Sequence, residues 1–197
     1  VHEMSGTATA TVGGTTKPLS LGDTLEEGQT VKSGKEGFVT MRFADGQLVL
    51  LHPGSSFTVS KYKYSAQDTK SSNILFRLAV GAMRFVSGAI GKTNPQNFSL
   101  LTPTATIGIR GTDHEPFYIP PAGWSGAPGG EPGSYDKVNS GATFMQTEGG
   151  RIDLGANQVG FAPPNPQAQP TRLDRIPDFM RPAPMLRGQG ERRGEGG

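Results

Sequence analysis

The residues of this sequence with the clearest chemical potential are three consecutive side chains, those of Asp113, His114 and Glu115. Two carboxylates and an imidazole in one place would serve as a metal site or as an acid–base pair. The surrounding residues favour a β-strand, in which successive side chains point to opposite faces, so His114 faces away from both carboxylates. The other histidines, His2 and His52, are distant in the sequence. We therefore predict that His114 is an ordinary strand residue and that the chain has no metal site.

Sequence motifs of catalysis and cofactor binding are incomplete. Residues 88–93 end like a phosphate-binding loop, but that loop needs a glycine at the position of Val86. The glycine-flanked serine of a hydrolase elbow does not occur, and the calcium-binding repeat suggested by residues 149–153 occurs only once. We therefore predict that the protein is not an enzyme and binds no cofactor.

The composition excludes several classes of protein. Glycine and proline contribute 29 and 16 of the 197 residues, which disfavours a helical bundle, and the absence of cysteine excludes disulfides and thiolate metal sites. The net charge of +2 comes from six arginines and four acidic residues in 171–197, without the basic run that follows a nucleic-acid backbone. The most apolar stretch, residues 74–86, is interrupted by Arg77 and Arg84. We predict neither a nucleic-acid site nor a membrane span.

Short alternating segments separated by glycine turns predict an all-β fold. Residues 7–12 alternate slim polar and apolar side chains and end at two glycines. Asp45 and Gly46 stand between two apolar segments, which is the pattern of a β-hairpin turn. The fold class we predict is an elongated irregular β-solenoid or sandwich-like module of about a dozen short strands, without a convincing helix.

Glycine and proline also predict where the longer apolar segments break. Gly81 divides residues 74–86 into two predicted strands joined at a bend. Pro103 and Gly111 divide residues 98–119 into three predicted strands.

The chain divides by composition into residues 1–20, an N-terminal strand segment, residues 21–162, an all-β domain, and residues 163–197, an extended Pro/Gly/Arg-rich tail. Prolines in the tail interrupt strand pairing, yet the tail holds bulky apolar side chains that a purely solvated segment does not need. We expect both appendages to contact either a neighbouring copy, by strand addition and groove docking, or their own domain. Their candidate contact residues are Thr7, Thr9, Thr11, Leu173, Ile176, Phe179, Met180, Met185 and Leu186.

Three segments together resemble the FecR domain, named for the periplasmic regulator of bacterial iron–citrate uptake. They are residues 21–31, residues 37–48 and, most specifically, residues 102–113, which read TPTATIGIRGTD. The resemblance covers about residues 21–119, and residues 138–161 resemble the continuation found in stand-alone secreted members. The motif residues that we single out are Thr102, Pro103, Ala105, Gly108, Arg110, Gly111, Thr112 and Asp113.

This resemblance implies an extracytoplasmic, non-catalytic, all-β bacterial module that contacts copies of itself or another extracytoplasmic protein. We expect first a structural subunit that assembles into fibres through its two appendages. The alternative is a periplasmic signalling module of the iron-uptake sigma-regulator type, which couples to an outer-membrane receptor. A third hypothesis is cell-wall or glycan binding by Trp124, Tyr118 and Tyr135.

Overall fold

The computed structural model describes residues 1–181. This part of the chain contains one helical turn, α1 (Ala89–Thr93), and three 3-10 turns at Thr69–Ser71, Pro95–Asn97 and Asp178–Met180. The all-β prediction is confirmed, and α1 lies where the sequence indicated a turn. The strands are β1 (Glu3–Val12), β2 (Thr15–Pro18), β3 (Thr30–Arg42), β4 (Leu48–Leu51), β5 (Ser56–Lys63), β6 (Asn73–Val86), β7 (Phe98–Leu101), β8 (Thr106–Ile119), β9 (Gly133–Thr147), β10 (Gly150–Gly155), β11 (Val159–Ala162) and β12 (Thr171–Arg172).

These twelve strands form one sheet, in which neighbours run antiparallel except for the parallel pair β6–β7. The main order is β12-β11-β9-β8-β7-β6-β4-β3-β1-β2, while β10 pairs with β9, and β5 pairs with β3 and β6. Ten strands side by side would span roughly 45 Å if the sheet were flat. Apolar side chains of β1 and β9 nevertheless belong to one core, so the sheet curls around it. The stacked coils of a solenoid are not confirmed by this pairing.

Three strands are longer than the sequence indicates because glycine bends them without ending them. β6 continues through Gly81, β8 through Gly111 and β9 through Gly141, where φ is +96°, +54° and +78°. Glycine reaches these angles at little cost, so the hydrogen-bonded ladder resumes after each bend. The prediction of two strands in residues 74–86 and of three in residues 98–119 is therefore wrong: the structure has one and two.

The same bends exchange the two faces of the sheet. In β8, Ile109, which precedes Gly111, points into the core around which the sheet curls, and so does His114, which follows Gly111. Side chains alternate along a regular strand, so the residues that face the core would all have odd numbers in β8. They change to even numbers after Gly111 because the bend inserts one extra residue. β9 changes face at Gly141 in register with β8. The acidic neighbours of His114 consequently lie on the outer face.

Two apolar clusters hold the fold together. The main core lies inside the curled sheet. The second core lies on the outer face of β6, β8, β9 and β11, where the loop after β8 and the tail cover it. Members of the main core include Val31, Val39, Met41, Val49, Leu51, Phe57, Phe76, Leu78, Met83, Phe85, Leu100 and Ile107. Members of the second core are Ala82, Phe117, Ile119, Ala127, Tyr135, Val159, Phe161 and Met180.

Both appendages fold onto their own domain. β1, which carries Thr7, Thr9 and Thr11, is paired with β3 on one side and with β2 on the other. Thr9 and Thr11 are therefore paired on both sides within the chain, whereas the pairing with β2 does not extend to Thr7, and addition of this strand to a neighbouring copy stays a prediction.

The tail packs in the same way. Leu173, Phe179 and Met180 contact the second core, while Ile176 is 40% exposed. Apolar burial against the chain's own sheet thus replaces the docking to another copy that the composition suggested. Met185 and Leu186 lie outside the described residues.

Candidate functional site

His114 and Asp136 form a polar pair inside the main core. Both side chains are fully buried, and His114 Nδ1 lies 2.7 Å from Asp136 Oδ1. The Thr143 hydroxyl donates a 2.6 Å hydrogen bond to the other carboxylate oxygen of Asp136. The remaining ring nitrogen of His114, Nε2, has no partner among the described residues, and the ring packs against Phe85. The pair therefore links β8 to β9 within the core, out of reach of a dissolved substrate.

A network of charged side chains crosses the opposite face of β6, β8 and β9. Arg84 donates hydrogen bonds of 3.0 and 2.6 Å to the two carboxylate oxygens of Asp113. The Asn139 amide donates to Asp113 at 3.1 Å and to Glu115 at 2.9 Å, and so joins the two carboxylates. Lys137 Nζ lies 3.2 Å from Glu115 Oε1. We call these five residues the outer ladder.

The outer ladder keeps Asp113 ionised. Partial burial by itself raises the pKa of Asp113, but hydrogen bonds from Arg84 and Asn139 outweigh that effect and lower the pKa below its ordinary value. The stability gained is present above the unfolded pKa, near 3.9, and is lost only as the pH falls through the lower folded pKa. Asp113 therefore remains ionised at neutral pH.

At its far end the outer ladder holds the tail. Lys137 Nζ also donates a 3.2 Å hydrogen bond to the main-chain carbonyl oxygen of Met180, which is fully buried. The neighbouring Phe179 ring packs against Tyr135, with the ring centroids 5.2 Å apart. We call residues 173–181 the latch, because the Lys137 ammonium group and a 2.8 Å hydrogen bond from the Leu173 amide to the Val159 carbonyl oxygen join them to the sheet.

Replacing Lys137 with methionine is expected to loosen the latch. Methionine keeps the apolar stem but removes the ammonium group from Glu115 and from the Met180 carbonyl, and leaving a buried carboxylate without its cation costs about 3–5 kcal/mol. Trypsin should cleave after Arg175 faster than in the unchanged protein, as followed by mass spectrometry of a digestion time course. Lys17→Met in exposed β2 is the matched control. Equal cleavage in all three proteins would show that Lys137 does not hold the latch.

His52 lies beside the second core and links stability to pH. Its ring centroid is 6.1 Å from that of Phe117. Burial lowers the pKa of His52 below 6.5, and the nearby Glu115 carboxylate opposes that shift only in part. Below this pH the unfolded chain binds a proton that the folded chain does not, so the free energy of unfolding rises with pH in that window.

We expect the His52→Gln variant to show a weaker pH dependence than the unchanged protein. The difference should develop as the pH falls below about 6.5, with a slope of at most about 1.4 kcal/mol per pH unit for one proton. Urea titrations at a series of pH values measure it, and His2→Gln, at an exposed position, is the control. An unchanged slope in His52→Gln would assign the effect to another group.

The hairpin predicted at Asp45 and Gly46 connects β3 to β4. Gly46 has a φ of +84°, and the Phe43 amide donates across the turn to the Gln47 carbonyl. Asp45 is buried and accepts a 3.1 Å hydrogen bond from the Tyr62 hydroxyl. Burial is the main cause that raises the pKa of Tyr62, so this hydroxyl remains a donor.

The motif at residues 102–113 makes hydrogen bonds within itself and to the neighbouring strands of the domain. Thr102 and Ala105 exchange hydrogen bonds that close the turn between β7 and β8. The Thr112 amide donates a 2.9 Å hydrogen bond to Ser87 Oγ, which fastens β8 beside the end of β6. These contacts position the strand and leave the outward-facing motif residues to contact other groups.

Gly108 and Arg110 face outward, as does Asp113 of the outer ladder. A Cβ at Gly108 would overlap the ring of Phe144 on β9, so this glycine makes room for the ring. The guanidinium carbon of Arg151 on β10 lies 3.8 Å from the Phe144 ring centroid, within cation–π range. Arg110 is exposed beside them and forms none of the ion pairs found in residues 1–181.

The three aromatic residues considered for glycan binding do not form an exposed platform. Tyr118 and Tyr135 are only 8% and 4% exposed. Burial, aided by Glu131, raises the pKa of Tyr135 to about 12. Trp124 donates its indole N–H to the Gly54 carbonyl oxygen at 3.1 Å and packs against the second core. A sugar-stacking surface therefore does not follow from these rings.

Sequence reasoning missed the partners that β9 supplies. Asp136 and Lys137 are adjacent, and strand alternation sends them to opposite faces, one to His114 and the other to Glu115. Charge complementarity between residues 113–115 and residues 136–137 was the available signal. It required knowing that β8 and β9 are antiparallel neighbours in this register.

The described residues contain no group of three or more His, Asp or Glu side chains placed to hold a metal ion. None of the helices in residues 1–181 is both long and apolar enough to cross a membrane.

Comparison with known proteins agrees with the motif. The model of the family described as FecR protein matches residues 29–116. No curated protein matches the chain.

Two crystal structures, at 1.65 and 2.50 Å resolution, share the fold. Both are of a protein of Parabacteroides distasonis ATCC 8503 described as a "putative anti-sigma factor", and the TM-scores are 0.54 and 0.55. Sequence identity is 12% in both cases, and the match covers 75% of this chain and 60% of the other. The chain thus spans about three fifths of the length of the structures it matches. The FecR resemblance is confirmed, because the FecR family model matches residues 29–116 of this chain.

Proposed function

We propose that this protein is a non-enzymatic, extracytoplasmic signalling module that works through contacts with other proteins. The observation that carries the proposal is the FecR domain at residues 29–116. The likeness to structures described as those of a "putative anti-sigma factor" supports it at the level of the fold. Those structures are longer than the shared region, so the signalling role and its partners are proposed for this chain by analogy.

The latch gives such a module a part that changes position. Residues 173–181 cover the second core, and their main chain is held to the sheet through Lys137. A partner protein that presents an apolar segment of its own competes with the latch for this surface. Release of the latch uncovers aromatic side chains, Tyr135 and Phe161 among them, and a partner that binds this form better shifts the population toward it. Partner occupancy is thereby converted into a change in the tail.

A fibre-forming subunit has less support. β1 is paired with β3 and, over Thr9–Val12, also with β2, and the described part of the tail packs on its own domain. At the ends of the sheet lie β2, four exposed residues that include Lys17 and Pro18, and β12, which has two residues. Short edges that carry lysine and proline are poor templates for strand addition.

Titration calorimetry tests the proposal. The full chain is titrated with the periplasmic signalling domain of a receptor whose gene lies beside the gene of this protein. We expect saturable binding at one site per chain, and binding should be stronger in the Lys137→Met variant because its latch is loosened. Absence of binding heat with a folded receptor domain would contradict the signalling role. Size-exclusion chromatography and electron microscopy of the same samples test the fibre hypothesis, which predicts growing polymers instead of a single species.

A further inference from the structure

An open groove crosses the outer face of β8, β9 and β10, on the side where the FecR motif places Gly108 and Arg110. Its volume is about 690 Å³. Motif residues line one wall, and the other wall comes from β10 and from Arg172 of β12. The groove is separate from the outer ladder and from the latch, whose residues do not line it.

The charge of the groove is predominantly positive. Three arginines, Arg110, Arg151 and Arg172, face it, and Asp153 is the one acidic residue in its lining. Asp153 is already engaged, since Arg151 donates to its carboxylate at 2.9 Å and Arg172 donates to its main-chain oxygen at 3.0 Å. Arg110 is exposed, and its guanidinium takes no part in the ion pairs of residues 1–181. The lining therefore has a surplus of cationic donors.

The floor of the groove is apolar, and packing on both sides fixes its central ring, that of Phe144. The Phe144 ring occupies the space above Gly108, and Arg151 packs over its face. Ala142, the cross-strand partner of Arg110, extends this apolar surface. An apolar floor between arginines suits a bulky apolar side chain that has carboxylates on either side, because Arg presents a planar fork that matches a carboxylate in two hydrogen bonds.

We propose that this groove binds an acidic peptide segment of a partner protein, with carboxylate side chains flanking an apolar residue. A small inorganic anion would leave the apolar floor uncovered. A nucleic acid would need a longer basic track, whereas the chain before residue 171 has equal numbers of basic and acidic residues. The inference goes beyond the signalling role and holds whether or not the bound partner transmits a signal.

Fluorescence anisotropy tests the proposal. The full chain is titrated into a labelled ten-residue peptide in which paired glutamates flank a central leucine. We expect saturable binding that weakens about tenfold or more when every glutamate is replaced by glutamine. Arg110→Gln should weaken binding by about fivefold or more, since Arg110 is the cation free to meet a carboxylate. Affinity should also fall as the salt concentration rises from about 50 to about 300 mM.

Arg77→Gln is the matched control, because Arg77 is exposed on β6 and lies outside the groove. Its affinity for the peptide should equal that of the unchanged protein. Arg110 takes no part in the ion pairs of residues 1–181, so circular dichroism should show the same unfolding midpoint in both variants. Equal affinity for the glutamate and glutamine peptides, or equal losses in the two variants, would overturn the proposal. Tighter binding of a twelve-nucleotide single-stranded DNA than of the peptide would also overturn it.

Discussion

Replacing Gly141 with alanine is expected to lower the free energy of unfolding by about 2–5 kcal/mol, enough to unfold much of a marginally stable population. The φ angle of Gly141 is +78°, a region that L-residues with a Cβ avoid. An added Cβ would overlap the main-chain oxygen of Gly111 on the neighbouring strand. Backbone cannot move aside as a flexible side chain does, so strand β8 or β9 must shift.

Gly111→Ala is the matched control on the other strand of the same bend. Its φ is +54°, but a Cβ there meets nothing within 4 Å, so only the backbone strain of about 1–2 kcal/mol applies. Urea unfolding followed by circular dichroism gives both values. Similar losses in the two variants would contradict the close approach of β8 and β9 at Gly141.

Replacing Asp136 with alanine is expected to cost about 2–5 kcal/mol, because two buried groups lose their partner and each unsatisfied group costs about 1–3 kcal/mol. Those groups are His114 Nδ1, 2.7 Å from the carboxylate, and the Thr143 hydroxyl, 2.6 Å from it. Thermal or urea unfolding measures the loss.

Asp153→Ala provides the comparison for a surface carboxylate. The Asp153 side chain is 78% exposed, so its ion pair with Arg151 contributes only about 0–1 kcal/mol. Asp136→Asn, which keeps an acceptor oxygen at the same place, should lose less stability than Asp136→Ala. A loss below about 1 kcal/mol in Asp136→Ala would contradict the buried pair.

The Asp113-His114-Glu115 segment shows how much of the side-chain arrangement the alternation along a strand can predict by itself. Alternation places His114 on one face and both carboxylates on the other, as the structure has them. It does not say which face is buried, because Gly111 bends β8 and inverts the faces part way along the strand. Nor does it supply the partners Arg84, Lys137 and Asp136, which come from strands up to 29 residues away along the chain.

The amino-acid sequence by itself determined the all-β class, the Asp45-Gly46 turn and the resemblance to the FecR domain. Those follow from local alternation, glycine placement and the motif at residues 102–113, which act over a few residues at a time. Only the tertiary structure decided that Gly81, Gly111 and Gly141 bend strands instead of ending them, that β1 and the latch fold onto their own domain, and that Arg110 faces a groove. The reason is that these outcomes depend on which strands become neighbours and in which register, and pairing over such distances is set by burial of the two cores together.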